Sequence, residues 1–143
     1  WKRAAPPPSL EILNAPTRET CTVRRELTDT PLQALVTLND PQFVEAARAL
    51  AQRAIKEGGN TFESRLNYIT QRLLSRPFRP EEKSVSKSAF EDLQSFYTTH
   101  PDDAQKLLKV GDSNRDQSIN PAQHAAWTML VNQLLNLDEA LNK

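Results

Sequence analysis

Five of the ten prolines in this 143-residue chain, Pro31, Pro41, Pro80, Pro101 and Pro121, stand where a helix can begin. Proline is well tolerated at the first helical position, because that amide has no intrahelical acceptor and the ring already holds a helical φ. Thr30, Asp40 and Asn120 precede three of them as capping residues. With only 3 glycines, the composition does not suit a β-sandwich and its glycine turns. The reading is all-α: a compact bundle of about five to six helices. An extended, proline-rich N-terminal arm spans residues 1–29 and packs on the helical domain of residues 30–143.

In the arm, Pro6, Pro7, Pro8 and Pro16 remove amide donors and favour extended backbone, while Leu10, Ile12 and Leu13 anchor it. Pro6 to Pro8 as a polyproline ligand is the sharper alternative. The first helix runs from about Pro31 to Leu38, with Gln33 completing a capping box and Leu32, Leu35 and Val36 as its apolar stripe. The second starts at Asp40-Pro41, turns Phe43, Ala47, Leu50 and Ala54 inward, keeps Glu45, Arg48, Gln52 and Arg53 mostly on the other side, and stops at Gly58-Gly59. Asn60 and Glu63 box the third, whose stripe is Phe62, Leu66, Ile69 and Leu73. The fourth runs from Pro80 to about Thr98 with Val85, Ala89, Leu93 and Phe96 inward, flanked by Phe90 and Tyr97. A shorter helix follows Pro101 and ends at Gly111, and the last carries Ala126, Leu130, Leu134, Leu137 and Leu141, with Trp127 and Val131 widening that face.

Lys and Arg total 18, as do Asp and Glu, so no overall field recruits nucleic acid. No apolar run reaches the ~20 residues that span a bilayer, so this segment is not expected to insert into a membrane. Cys21 is the only cysteine, which leaves no internal disulfide and no multi-cysteine metal or haem motif. The chain opens on Trp1 without a charged-then-apolar leader and reads as a segment of a longer protein.

Asp112, Asn114 and Asp116 have the 1, 3, 5 spacing of a calcium loop and are the metal candidates. Gln117 replaces the glycine of position 6 and Gln123 the bidentate carboxylate of position 12, so a polar loop that caps the final helix is the favoured reading. His100 and His124 belong to no nucleophile motif, and no GxSxG, HExxH or phosphate-binding loop is present. No catalytic residue is named, and the fragment alone leans toward no enzyme. Arg18, Arg24 and Arg25, with Glu19 and Glu26, either bind an anion or partner carboxylate or tie the arm to the helices.

The runs WKRAAPPPSLE, CTVRRELTDTPLQALVTLNDPQFVEAARALAQRA and AAWTMLVNQLLNLDEALNK closely resemble the C-terminal planctomycete domain of unknown function 1553, found in cytochrome c-associated surface proteins. The likeness is loosest from about Glu57 to Leu108. The GDSNRD loop departs from the usual family form, with Asn114 where a proline commonly follows the serine. The resemblance implies an exported, periplasmic or cell-surface parent. Any haem would sit upstream, and no cofactor is expected in this fragment.

The first functional reading is a non-catalytic structural or interaction module that packs on upstream domains of the same polypeptide, through Arg18 to Gln33 and the Asn39-Asp40-Pro41 corner. The second has Arg24, Arg25 or Asp29 completing a redox or glycan-processing site, and the third is a calcium-stabilised module. Arg24, Arg25, Asp29 and Asn39 are the interaction candidates, because local helix rules do not use them up.

Overall fold

A computed structural model describes residues 7–16, 21–24, 28 and 30–141. Among the described residues there are eight helices and no strand: α1 (Pro8–Ile12), α2 (Pro31–Asn39), α3 (Pro41–Glu57), α4 (Phe62–Leu73), α5 (Pro80–Thr99), α6 (Pro101–Leu108), α7 (Pro121–Leu135) and α8 (Asp138–Leu141). The all-α expectation holds, but five to six helices is an undercount. One added helix is α1, where extended chain was expected: Pro8 supplies the first turn that its ring geometry favours. The other is α8, which restarts on Asp138 and Glu139 after the chain leaves α7 at Asn136. The rest of the anticipated arm lies largely outside the described residues.

The proline starts are where the sequence puts them. Thr30 accepts from the Gln33 amide at 3.3 Å while Gln33 Oε1 accepts from the Thr30 amide at 2.9 Å, a complete capping box. Asp40 caps Gln42 at 2.9 Å and Asn120 caps Gln123 at 3.2 Å. The box that opens α4 lies one residue later than Asn60–Glu63: Thr61 and Ser64 exchange the two bonds, at 3.1 and 3.2 Å. Thr61 has the extended backbone a cap requires.

Helix α7 is the axis of the fold. It packs on α3, α5, α6, α4, α2 and α8. It is buried nearly all round through Ala125, Ala126, Trp127, Leu130, Val131 and Leu134, and also through the polar His124, Thr128 and Asn132. Around it lie Ala47, Ala51 and Ala54 of α3, whose small side chains let the two helices approach closely, and Leu66 and Ile69 of α4. Phe62, Phe90 and Trp127 form an aromatic cluster with centroid separations of 4.5–5.3 Å. A second cluster joins Tyr97, Ala104 and Leu108 to Ala125 and Ala126.

Three expected faces differ, two of them in part. On α5, Ala89 and Leu93 pack inward as expected, with Phe90 and Tyr97 beside them, but Val85 is 71% exposed and Phe96 also faces outward. On α3, Arg48 is buried rather than solvated. The third is α2. Its expected stripe residues Leu32 and Leu35 are 54% and 55% exposed, whereas Gln33 and Thr37 are 4% and 0% exposed.

The basic stretch after Gly58 is absorbed locally. Arg65 donates to the Gly59 carbonyl, and the Arg72 guanidinium lies 3.4 Å from the Tyr68 ring centre. Arg76 donates to both Glu82 and Glu139, joining the α4–α5 turn to α8. Charge-assisted bonds from Arg76 hold Glu82 down to about 2. No helix among the described residues is long and apolar enough to cross a membrane.

Candidate interaction surface

The inverted α2 is explained by what its polar residues reach. Gln33 Nε2 donates to the Ile12 carbonyl at 2.9 Å and to Thr28 Oγ1 at 2.8 Å, so one carboxamide ties α2 to α1 and to the segment before it. Thr28 Oγ1 also accepts from Asn14 Nδ2 at 2.6 Å. Thr37 donates back to the Gln33 carbonyl and meets Asn136 Oδ1 at the end of α7. Asn132 Nδ2 reaches the Leu38 carbonyl at 3.1 Å. Each is a buried or half-buried polar group whose desolvation is offset by such bonds. The set fixes the rotation of α2 and leaves Leu32 and Leu35, three residues apart on one face, pointing to solvent.

The four interaction candidates fare differently. Arg24 is exposed beside Val23, which is 98% exposed. Arg25 and Asp29 lie outside the described residues. Asn39 sits at the exposed end of α2, where its Nδ2 donates to the Leu35 carbonyl at 2.8 Å, so its amide is partly consumed by the helix it ends. The residues that orient the surface, Gln33 and Thr37, were read as a cap and as part of an apolar helix. Their i, i+4 spacing carried the signal of a second, polar stripe.

The loop with calcium-like spacing does other work. Asp112 and Ser113 donate their backbone amides to the Glu45 carboxylate at 3.0 and 2.7 Å. Gly111, at φ +91°, lets the chain pass so close to Glu45 that a Cβ there would collide with the carboxylate. Arg48 Nη1 donates to the Leu108 carbonyl at 2.6 Å, and its Nη2 donates to the Ser113 carbonyl and hydroxyl at 2.7 Å. Asp116 pairs with Lys56 and accepts from the Ser118 amide at 2.8 Å. These bonds hold Glu45 and Asp116 below their ordinary values, led by Ser113 in the first case and Lys56 in the second.

Asp112 and Asn114 are exposed, and no group of three or more His, Cys, Asp or Glu that could hold a metal ion occurs among the described residues. A melting temperature that is the same in calcium and in chelator is therefore expected, since a ion bound only by the folded state would raise it. A rise in calcium would reinstate the loop as a metal site. His124 is completely buried, with Nε2 3.2 Å from the Arg48 carbonyl.

Among the concavities of the described residues, two bear on the helix packing just given. One, of ≈ 400 Å³, is an apolar groove between α5 and the α7–α8 corner, lined by Phe78, Val85, Ala89, Leu130, Leu134 and Leu137 among others. The other, of ≈ 560 Å³, is a polar cleft where α5, α6 and α7 meet, and Gln94, Gln105 and Gln123 are among its lining residues. The sequence candidates line neither.

No curated protein and no solved structure matches this chain. The family model PSD1, described as a protein of unknown function (DUF1553), matches residues 1–90, which is more than half of the chain and includes all of α2 and its polar supports Asn14, Thr28 and Gln33. The chain therefore belongs to the PSD1 (DUF1553) family.

Proposed function

We propose that this chain is a non-catalytic helical module that packs, through the outer face of α2, on other domains of a longer exported, cytochrome-associated polypeptide. The observation that supports it is the inside-out packing of α2, with Leu32 and Leu35 exposed above a buried Gln33 and Thr37. A short helix whose polar side is anchored inward gains nothing by presenting leucines to water, whereas covering them recovers about 25 cal/mol per Å² of apolar surface removed. Arg24 is exposed too, and its guanidinium is a bidentate donor of the kind that suits the polar rim of an interface.

The test is the double variant Leu32→Glu, Leu35→Glu. Because both side chains already face solvent, the isolated chain keeps its unfolding free energy to within about 0.5 kcal/mol. Capture of the upstream region by the variant falls at least tenfold in a pull-down, which is about 1.4 kcal/mol of binding. Undiminished capture, or no capture by the unchanged chain, sinks the reading.

A further inference from the structure

His124 has no role in the surface just described, yet it is the most completely enclosed ionisable ring in the chain. It sits at 0% exposure in the first turns of α7. Its Nε2 faces the Arg48 carbonyl at 3.2 Å; a carbonyl only accepts, so Nε2 carries the proton and Nδ1 is a lone pair. That Nδ1 is buried and has no hydrogen-bond partner, and neither has the buried Nη1 of Arg115.

The ring is thus held neutral by position. From α3, Arg48 opposes a positive charge on it, and from the loop Arg115 does the same. Asp116 is the acid that favours the charge, and it is already engaged by Lys56. The ionisable groups that α5 and α6 bring near this end of α7, Tyr97 and Asp103, act on each other. A second proton would place an N–H donor at Nδ1 with nothing to accept it, beside two guanidinium groups. The residue that gives the ring its one hydrogen bond, Arg48, is the same residue whose guanidinium clasps Leu108 and Ser113.

We propose that His124 is an acid-sensitive latch: while neutral it lets Arg48 hold the 109–120 loop shut, and when protonated it makes that loop open ahead of the rest of the fold. Burial lowers the basicity of the ring in the closed form. Once opening lets water reach the ring, it regains the ordinary histidine value of about 6.5. Between those two values the open form binds one more proton than the closed form. Falling pH therefore favours opening, by about tenfold per pH unit, until the closed-form value is passed. Glu45 and Asp116 are both held below the ordinary carboxylate range, so loss of their bonds lies on the acid side of the pH range tested.

The experiment is amide hydrogen exchange of the whole chain at about pH 7 and about pH 5.5, corrected for the intrinsic pH dependence of exchange. Peptides from the loop should lose about tenfold in protection for each pH unit below about 6.5 while staying less protected at every pH than those from Leu66 to Thr70 of α4, whose global opening exposes the ring as well and shares the slope. In His124→Gln the loop's protection should no longer change across this range. Unchanged loop protection in the parent chain overturns the proposal, as does loop protection no lower than that of α4 at the acid end. An equal pH response in the variant overturns it as well. If the variant does not fold, the ring's own proton titration by NMR in the unaltered chain decides: a value below about 6.5 supports the latch, and one at or above it overturns it.

Discussion

Truncating Trp127 to alanine is expected to lower the unfolding free energy by about 4 kcal/mol, the middle of the range for removing a buried large aromatic. The indole lies at the middle of α7, stacked on Phe62 at 5.3 Å and against Phe90 at 4.5 Å, so it joins α4 and α5 to the axis. Alanine would leave both phenyl rings facing a void that rigid helices on three sides cannot close. Phenylalanine at the same position should cost much less. The indole N–H is buried without a hydrogen-bond partner, so removing it leaves no acceptor orphaned. Urea denaturation of the two variants separates these outcomes, and equal losses would mean that ring size, not the aromatic stack, sets the effect.

Arg48→Met is expected to cost about 3 kcal/mol, although it keeps most of the apolar stem. Its guanidinium supplies the donors for the Leu108 carbonyl and the Ser113 carbonyl and hydroxyl, and its Nη2 lies 3.6 Å from Glu45. Methionine leaves those acceptors without the charged donor, and stranding the partners of a buried ion costs far more than the pair itself contributes. A loss below about 1 kcal/mol in urea titration would mean that water replaces the guanidinium at this corner.

The starts of the helices were legible because capping is local chemistry. Thr30 and Gln33, or Asp40 and Gln42, meet within a single turn, and proline adds its own backbone preference. The inward faces were harder to read, because periodicity counts apolar residues without knowing which polar ones will find partners. On α2, Leu32 and Leu35 outweighed Gln33 and Thr37 in the pattern. The carbonyl of Ile12 and the amide of Asn136, remote in sequence, reversed the outcome. Arg48 shows the same limit. Nothing near it in the chain indicates that its acceptors will come from Leu108 and Ser113, 60 and 65 residues away. The calcium-like spacing at Asp112, Asn114 and Asp116 was readable, and so was the mismatch at Gln117 and Gln123. That the loop would be strapped by Glu45, Arg48 and Lys56 was not.

The central place of α7 also bears on where this chain can be cut. The family match on this chain ends at residue 90, partway along α5 and before α6 and α7 begin. A fragment stopped there would keep Ala47, Ala51, Leu66 and Ile69 but lose Trp127, Leu130 and Val131, the side chains that cover them. The matched stretch of this chain is therefore not a unit of folding. Its helices need a scaffold supplied by the following residues, through at least Leu135. Expression pieces of this chain are best bounded by the end of that scaffold helix rather than by the end of the matched sequence.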